Sequence, residues 1–297
     1  DLTNGFLNAG DITLTTGVMS QSGGTNRVTN SVSLGGRGSG FTLSGGALLS
    51  SGCGISGGSP DERSVFRQSG GTHQINGSLG IGGQYIMSGG TLAASSISLF
   101  HEGDLMISGG AVLSNRAVSF SGGSLSTSLP ELTLGTLQIN QAIEFSSWRP
   151  RISFPTNDCI IRFTDSAHLT WDSETRLWID GWKGELSGSG SHQLFIGTGQ
   201  TLRSEQLSRI RFENPSGLSA GSYFAKQLSS GEVVPSQNSY IEFIRQQNGL
   251  RFEWEPQWLL EFSPKPLGPY EPVEIEQTSY TSSYSGRSGF FRLRKKP

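Results

Sequence analysis

The sequence predicts an all-β chain, a parallel β-solenoid followed by a small C-terminal β-sandwich-like module. Two observations carry the solenoid. Ser-Gly-Gly recurs at Ser22, Ser44, Ser69, Ser88, Ser108 and Ser121, at spacings of 22, 25, 19, 20 and 13 residues. Three residues before each serine stand Met19, Phe41, Phe66, Tyr85, Leu105 and Val118, all apolar or aromatic. Self-similarity at such a period is the mark of a repeat architecture.

Further apolar positions follow the same rhythm. One residue before the serine stand Gln21, Leu43, Gln68, Met87, Ile107 and Phe120, and four after it Asn26, Leu48, His73, Leu92, Val112 and Leu125. A second apolar set recurs as Val32/Leu34, Cys53/Ile55, Leu79/Ile81 and Ile97/Leu99. Within each pair the spacing is two, the period of a strand with one buried face. One such unit cannot bury its inward face alone; stacked units form a continuous core. Glycines turn the chain at corners where a side chain would meet steric cost. The coil is therefore right-angled or triangular. A disordered Gly/Ser linker does not account for a fully apolar column. The short last spacing reads as a shortened coil or a register change, and a copy at Ser56 falls out of phase.

The chain divides into 1–140 (Gly-rich solenoid repeats), 141–235 (end of the solenoid and cap) and 239–297 (small β module). In the second part Trp148, Trp171, Trp178 and Trp182 appear and Ser-Gly-Gly stops. Ile160–Phe163, Leu169–Trp171, Arg176–Ile179 and Gln193–Ile196 read as strands. Ser204–Ile210 reads as a short helix capped by Ser204, with Leu207 and Ile210 on one face. In the third part Tyr240–Ile244, Leu250–Trp254, Trp258–Phe262 and Phe290–Leu293 read as strands.

Composition narrows the function. The chain has 42 glycines in 297 residues, roughly twice the usual ~7%. Its net charge of -2 gives no electrostatic case for nucleic acid. No apolar run approaches the ~18 residues that span a bilayer. No lysine precedes Lys183, so the repeats have a mostly uncharged Ser/Thr/Asn surface. Such a surface lacks charges that oppose association. A chain opening on Asp1 rather than Met fits a processed, exported protein.

No catalytic, cofactor or metal set emerges. Cys53 sits in an inward column and lies over a hundred residues from Cys159. With coils rising about 4.8 Å each, a bridge needing Cα atoms within about 7 Å is not expected, and both thiols read as free and buried. His73, His101, His168 and His192 have no metal spacing and no triad partner; His73 takes the position of Leu92 one unit on. Acidic residues before 140 are Asp1, Asp11, Asp61, Glu62, Glu102, Asp104 and Glu131. Asp61–Glu62 and Glu102–Asp104 fall in equivalent loops two coils apart, where solvated charge or an incidental Ca²⁺ contact is the simplest reading. Trp171, Trp178, Trp182, Trp254 and Trp258 pack the core or a domain interface more readily than they stack on sugars. The basic end Arg292–Lys296 reads as a solvated tail.

Three stretches resemble one group of proteins. YIMSGGTLAASSISL and LMISGGAVLSNRAVSF resemble the passenger-associated β-strand repeats of autotransporters, closest to Gly-rich repeats in large exported proteins of verrucomicrobial and planctomycete type. This likeness covers Gly5–Ile139. The segment from Trp178 to Pro235 is similar to a block that follows the solenoid in those proteins. Its shared features are the W-x-G of Trp182–Gly184, QLFIG of Gln193–Gly197, EQL of Glu205–Leu207, NPSGL of Asn214–Leu218 and GEVVP of Gly231–Pro235. That family often follows GEVVP with a membrane-sorting tail, and this chain continues differently. WEPQWLLEFSPKPLGPYEPVE with SYTSSYSGRSGFFRLR resembles a C-terminal module of the same bacterial groups, with Gly-Pro-Tyr, Ser-Tyr-Thr and a final Phe-Phe-Arg-Leu-Arg. The resemblance implies export and a structural or surface role, with no catalytic residue to transfer.

The expectation is a secreted, non-enzymatic structural protein of an extracellular or surface fibre or coat. Its expected partner is itself, with glycans as an alternative and no cofactor. An adhesin or glycan-binding protein is the second reading, and a polysaccharide-degrading β-helix enzyme the third. The expected assembly surface is the first coil, through Leu2, Phe6, Leu7, Ile12 and Leu14, because strand-like apolar sequence begins at once there. The competing outcome is a monomer whose first strands fold back as their own cap.

Overall fold

The computed structural model describes residues 1–57, 63–113, 116–141, 149–237, 241–246, 249–273, 279–283 and 289–296. It is a triangular parallel β-solenoid with two small antiparallel sheets at its C-terminal end. A coil has three short faces. In one coil they are Val18–Gln21, Thr25–Val28 and Ser31–Leu34, the last two joined through a register shift. The next coil stacks Gly40–Leu43 and Ala47–Ile55 on them in parallel.

On the first face, Met19, Phe41, Phe66 and Tyr85 lie one above another. Asp104 N–H bonds the Gly83 carbonyl, which sets Leu105 on the next rung. Leu125, Ile152, Ile179 and Phe212 then extend the column. Phe41 and Phe66 stack at 5.1 Å, and Phe66 and Tyr85 at 4.8 Å. The third face stacks Ile12/Leu14, Val32/Leu34, Cys53/Ile55, Leu79/Ile81, Ile97/Leu99, Val118/Phe120 and Leu137/Ile139. All line one core that runs the length of the solenoid.

The Ser-Gly-Gly corner has two separate steric causes. A Cβ on Gly45 would stand 2.3 Å from the Ser22 carbonyl oxygen of the rung below, and one on Gly89 2.4 Å from Ser69 O. The second glycine is left-handed, at φ +73° for Gly46 and +80° for Gly90, and it too lies against the glycine corner below. Only glycine meets both demands.

Two sequence assignments are corrected here. Val118 is not in the Met19–Leu105 column; it pairs with Ile97 on the third face, and Leu125 takes the rung above Leu105. Ser121-Gly-Gly is therefore not a shortened copy of the first corner. Its glycines lie against His101 and Gly103 at a different corner, where Gly57, after Ser56, lies against Gly82. Two corners of the triangle need glycine for the same reason, so one motif marks both.

The parallel ladder continues past 140 through Arg151–Ser153, Leu177–Asp180 and Ile210–Glu213 on the first face. On the second, Glu131–Leu134, Cys159–Phe163 and His192–Ile196 stack. The expected strand at Leu169–Trp171 is absent. Leu169 N–H instead closes a turn onto Ser166 O, and the buried Trp171 indole donates to Leu137 O at 3.0 Å. The helix is one turn, Ser204–Leu207, because Ile210 already pairs with Leu177 as a strand. Arg203 rather than Ser204 takes the N-cap position, where its N–H donates to Gln206 Oε1.

An antiparallel hairpin ends the solenoid. Ser222–Gln227 pairs with Ile210–Glu213, and Val233–Pro235 pairs with Ser222–Gln227. The buried Gln227 fastens it: Oε1 accepts the Thr201 and Leu202 N–H groups, and Nε2 donates to Ile196 O and Gly231 O. Beyond it stand two three-stranded antiparallel sheets. One is Ile241–Gln246, Gly249–Trp254 and Ser279–Ser283; the other is Glu271–Pro272, Trp258–Ser263 and Phe290–Lys295. They share a core of Phe252, Trp254 and Leu260, with Phe291 4.3 Å from Phe252. Tyr240 lies outside the described residues.

Candidate functional site

Two places stand out, the ends of the molecule and one corner of the solenoid. At the first coil, Phe6–Ala9 pairs with Thr25–Val28 on one side. Among the described residues no strand pairs with its other edge. Phe6 is 63% exposed, Leu7 is exposed beside it, and Val18, apolar in the same opening stretch, is 68% exposed. The other predicted assembly residues differ. Ile12 is buried in the core, Leu14 is half-buried against it, and Leu2 is half-buried and bridged to Gln21. Their alternation along the strand turns Ile12 and Leu14 inward under Val32 and Leu34. At the opposite end, Phe262, Leu267 and Phe290 are exposed on the module. Among the described residues, every large exposed hydrophobic side chain lies at one of these two ends.

The corner gathers charge from a charge-poor surface. Arg63 donates to Asp104 at 2.8 Å and is ion-paired with Glu102. Asp104 also accepts from Ser124 Oγ at 2.6 Å and Gln84 Nε2 at 3.4 Å. Arg63 thus joins Glu102 and Asp104; the expected approach of Asp61–Glu62 to these carboxylates falls on residues outside the described ones. An open groove beside them is lined by Arg63, His101, Asp104, Ser124, Arg149 and Arg151. Arg149 lies over the Trp178 ring at 4.5 Å, and Arg151 pairs with Asp180 at 2.7 Å. His101 holds a left-handed φ of 54° at this corner.

Most of the chemical candidates of the sequence are buried. Cys53 and Cys159 are free and buried, and burial pushes their thiols up to about 12 and about 11. His73 stacks on Phe66 at 4.6 Å, and its Nδ1 shares a hydrogen bond with Tyr85 OH, which donates to Gln68 Oε1 at 2.7 Å. Gln68 Nε2 in turn donates to Thr91 O, as Gln21 Nε2 does to Ala47 O one corner earlier. These polar residues are thereby linked inside the core, with His73 Nε2 left without a partner. His192 is buried on Phe154, accepts the Lys183 N–H at Nδ1 and reaches Asn157 O through Nε2. His168 is exposed. Trp171, Trp182 and Trp254 are buried, and Trp178 and Trp258 half-buried; Trp148 lies outside the described residues. Glu261 is buried between Arg292 and Arg294, so part of the basic tail belongs to the module.

Among the described residues no group of three or more His, Cys, Asp or Glu side chains is placed to hold a metal ion. Among the described residues no helix is long and apolar enough to cross a membrane. No protein-family model, no curated protein and no solved structure matches the chain.

Proposed function

We propose that this chain is a non-enzymatic structural subunit of an extracellular or cell-surface fibre or coat, joined to copies of itself through the two ends of the solenoid axis. The observation that carries the reading is the placement of exposed apolar side chains: Phe6, Leu7 and Val18 at one end, Phe262, Leu267 and Phe290 at the other. The two patches are different surfaces at opposite ends of one chain, so their pairing is head-to-tail, and head-to-tail contacts whose rotation does not close give a filament. The open edge of Phe6–Ala9 adds unpaired N–H and C=O groups that favour strand addition. The repeats contribute little charge to oppose it.

The test uses sedimentation and negative-stain microscopy of the chain across concentration. Filaments are expected, and both Phe6→Ser/Val18→Ser and Phe262→Ser/Phe290→Ser should abolish them. Mixed together, the two variants should form one-to-one pairs, since each keeps one intact end. A single monomeric species at every concentration overturns the reading.

A second reading, a glycan-binding surface protein, draws on the corner groove, where guanidinium, hydroxyl and carboxylate groups converge on an open cavity. Its test is a glycan array probed with the parent chain and with Arg149→Gln; binding lost in the variant supports it, and no binding by the parent rejects it.

A further inference from the structure

The contact between the C-terminal module and the solenoid is built around one carboxyl group. Glu255 opens the turn Glu255–Gln257 between Gly249–Trp254 and Trp258–Ser263, the link between the module's two sheets. The turn is held by Trp258 N–H on Glu255 O and by the Trp254 indole on Trp258 O. It seats on the hairpin that ends the solenoid. Pro256 lies so close to Gly221 that a Cβ there would stand 2.2 Å from the proline ring.

At this seam Glu255 is 0% exposed. Its Oε2 accepts from Gln257 Nε2 at 2.6 Å, and the Phe224 N–H also bonds the carboxyl. Oε1 has no hydrogen-bond partner. Two titratable groups face it from the solenoid. Arg211, on Ile210–Glu213, is buried with its guanidinium over the Phe224 ring at 3.7 Å, its Nη1 already donating to Ser208 O and Ile210 O. Tyr223, on Ser222–Gln227, is itself pushed up by burial and by Glu255. Gln257, which donates to it from its own turn, is neutral.

We propose that the module docks on the solenoid with Glu255 neutral, and that ionisation of this carboxyl loosens the seam. A buried carboxylate with one unpartnered oxygen is costly, whereas the protonated form carries half the need for donors. The inference concerns a contact within one chain and stands apart from end-to-end assembly. Burial raises Glu255 from the usual 4.5 to about 7, against the lowering pull of Gln257, Phe224 N–H and Arg211. The docked form holds its proton more tightly than the open form. Docking is therefore strongest below about 4.5, weakens as pH rises and levels off above about 7. The linked loss is roughly two orders of magnitude in the docking equilibrium between those limits.

The experiment is hydrogen exchange of the full chain from pH 4.5 to 8, corrected for intrinsic exchange, read at the Phe224 amide and across 252–260. Protection at the seam should fall roughly 100-fold as pH rises over that range, whereas protection of the Phe66 and Tyr85 amides, beside His73, should not fall. Glu255→Gln, close to the neutral acid in shape, should stay docked and lose the pH dependence. Gly221→Val should leave the seam loose at every pH. A flat parent profile, or the same slope in Glu255→Gln, overturns the proposal. Direct carbon-13 titration of the Glu255 carboxyl in the parent gives a second reading free of any variant's folding, and a midpoint below 5 also overturns it.

Discussion

The solenoid and the module keep water out by different means. Along the solenoid every rung is covered by the next, so Phe41, Phe66, Tyr85 and Leu105 are all fully buried although each coil is only three short strands. The module has no such neighbours. Its fully shielded core is Phe252, Trp254 and Leu260, and it leans on the solenoid through Pro256 and Glu255. The two regions also answer pH with opposite sign. Burial pushes His73 in the solenoid down to about 3 and Glu255 at the seam up to about 7. Both groups prefer to be neutral, but one is a base and the other an acid. The solenoid core is thereby weakened by acid and the seam by base. Stacking lets a long core take in linked polar residues such as Gln68, Tyr85 and His73, while a small core depends on each large side chain it has.

The largest break in this contrast is a charge inside the stack. Phe66→Asp places a carboxylate between Phe41 and Tyr85, and we expect a loss of about 5 kcal/mol or more, enough to unfold the solenoid. Ser69→Thr at the exposed corner beside it should stay within about 0.5 kcal/mol. Chemical denaturation followed by circular dichroism checks both, and equal midpoints for the two variants would remove the inward assignment of Phe66.

Acid is the next lever. Because the folded His73 value of about 3 lies below the usual 6.5, unfolding takes up a proton over that window. This residue's share of stability is complete above about 6.5. It falls as pH drops toward about 3, by about 1.4 kcal/mol per pH unit at most. Urea midpoints between pH 7 and 4 should drift downward in the parent and drift less in His73→Leu, which copies Leu92 on the next rung.

Phe252→Ala should cost about 3–5 kcal/mol, all of it in the module. The contrast is sharpened if module probes (Trp254 and Trp258 fluorescence) lose their transition while strand circular dichroism from the solenoid melts as before. A uniform shift of both signals would mean that the two regions fold as one unit.

Gly90→Ala tests the corner. It forces a left-handed φ of +80° on a Cβ that would stand 2.4 Å from Gly71 O. The conformational strain alone is about 1–3 kcal/mol. Gly54→Ala, where no atom lies within 4 Å of an added Cβ, should cost less. Smallest of all in energy, but direct, is thiol labelling: Cys53 should react with a thiol reagent only on unfolding, and a native Cys53–Cys159 linkage by mass spectrometry would contradict the coil path.

Much of this was legible along the chain. The pairs Val32/Leu34 and Cys53/Ile55 already declare a half-buried strand, since strand period is a local property. The step from Leu48 to His73 to Leu92 was readable too, because each stands four residues after a Ser-Gly-Gly serine that serves the same corner. Where loop length changes, the reading fails. Val118 looks like Leu105 when judged from its Ser-Gly-Gly, yet it sits on another face because the motif there serves a different corner. The strand-like apolar character of Leu169–Trp171 is real, but Trp171 is spent on a turn and an indole bond to Leu137 O.

What the sequence determined by itself is the unit: short strands, glycine at the corners, one inward face, and a change of composition before the terminal sheets; that a coil has three faces came from the structure. Only the tertiary structure decided which rung stands on which, that Arg63 joins Glu102 and Asp104, that an antiparallel hairpin ends the ladder at Val233–Pro235, and that Glu255 is sealed under it. The reason is one of range. Periodicity and corner sterics act over a few residues and are written in their order, whereas rung register and the burial of a polar group depend on contacts that close only after intervening loops of unequal length have been folded.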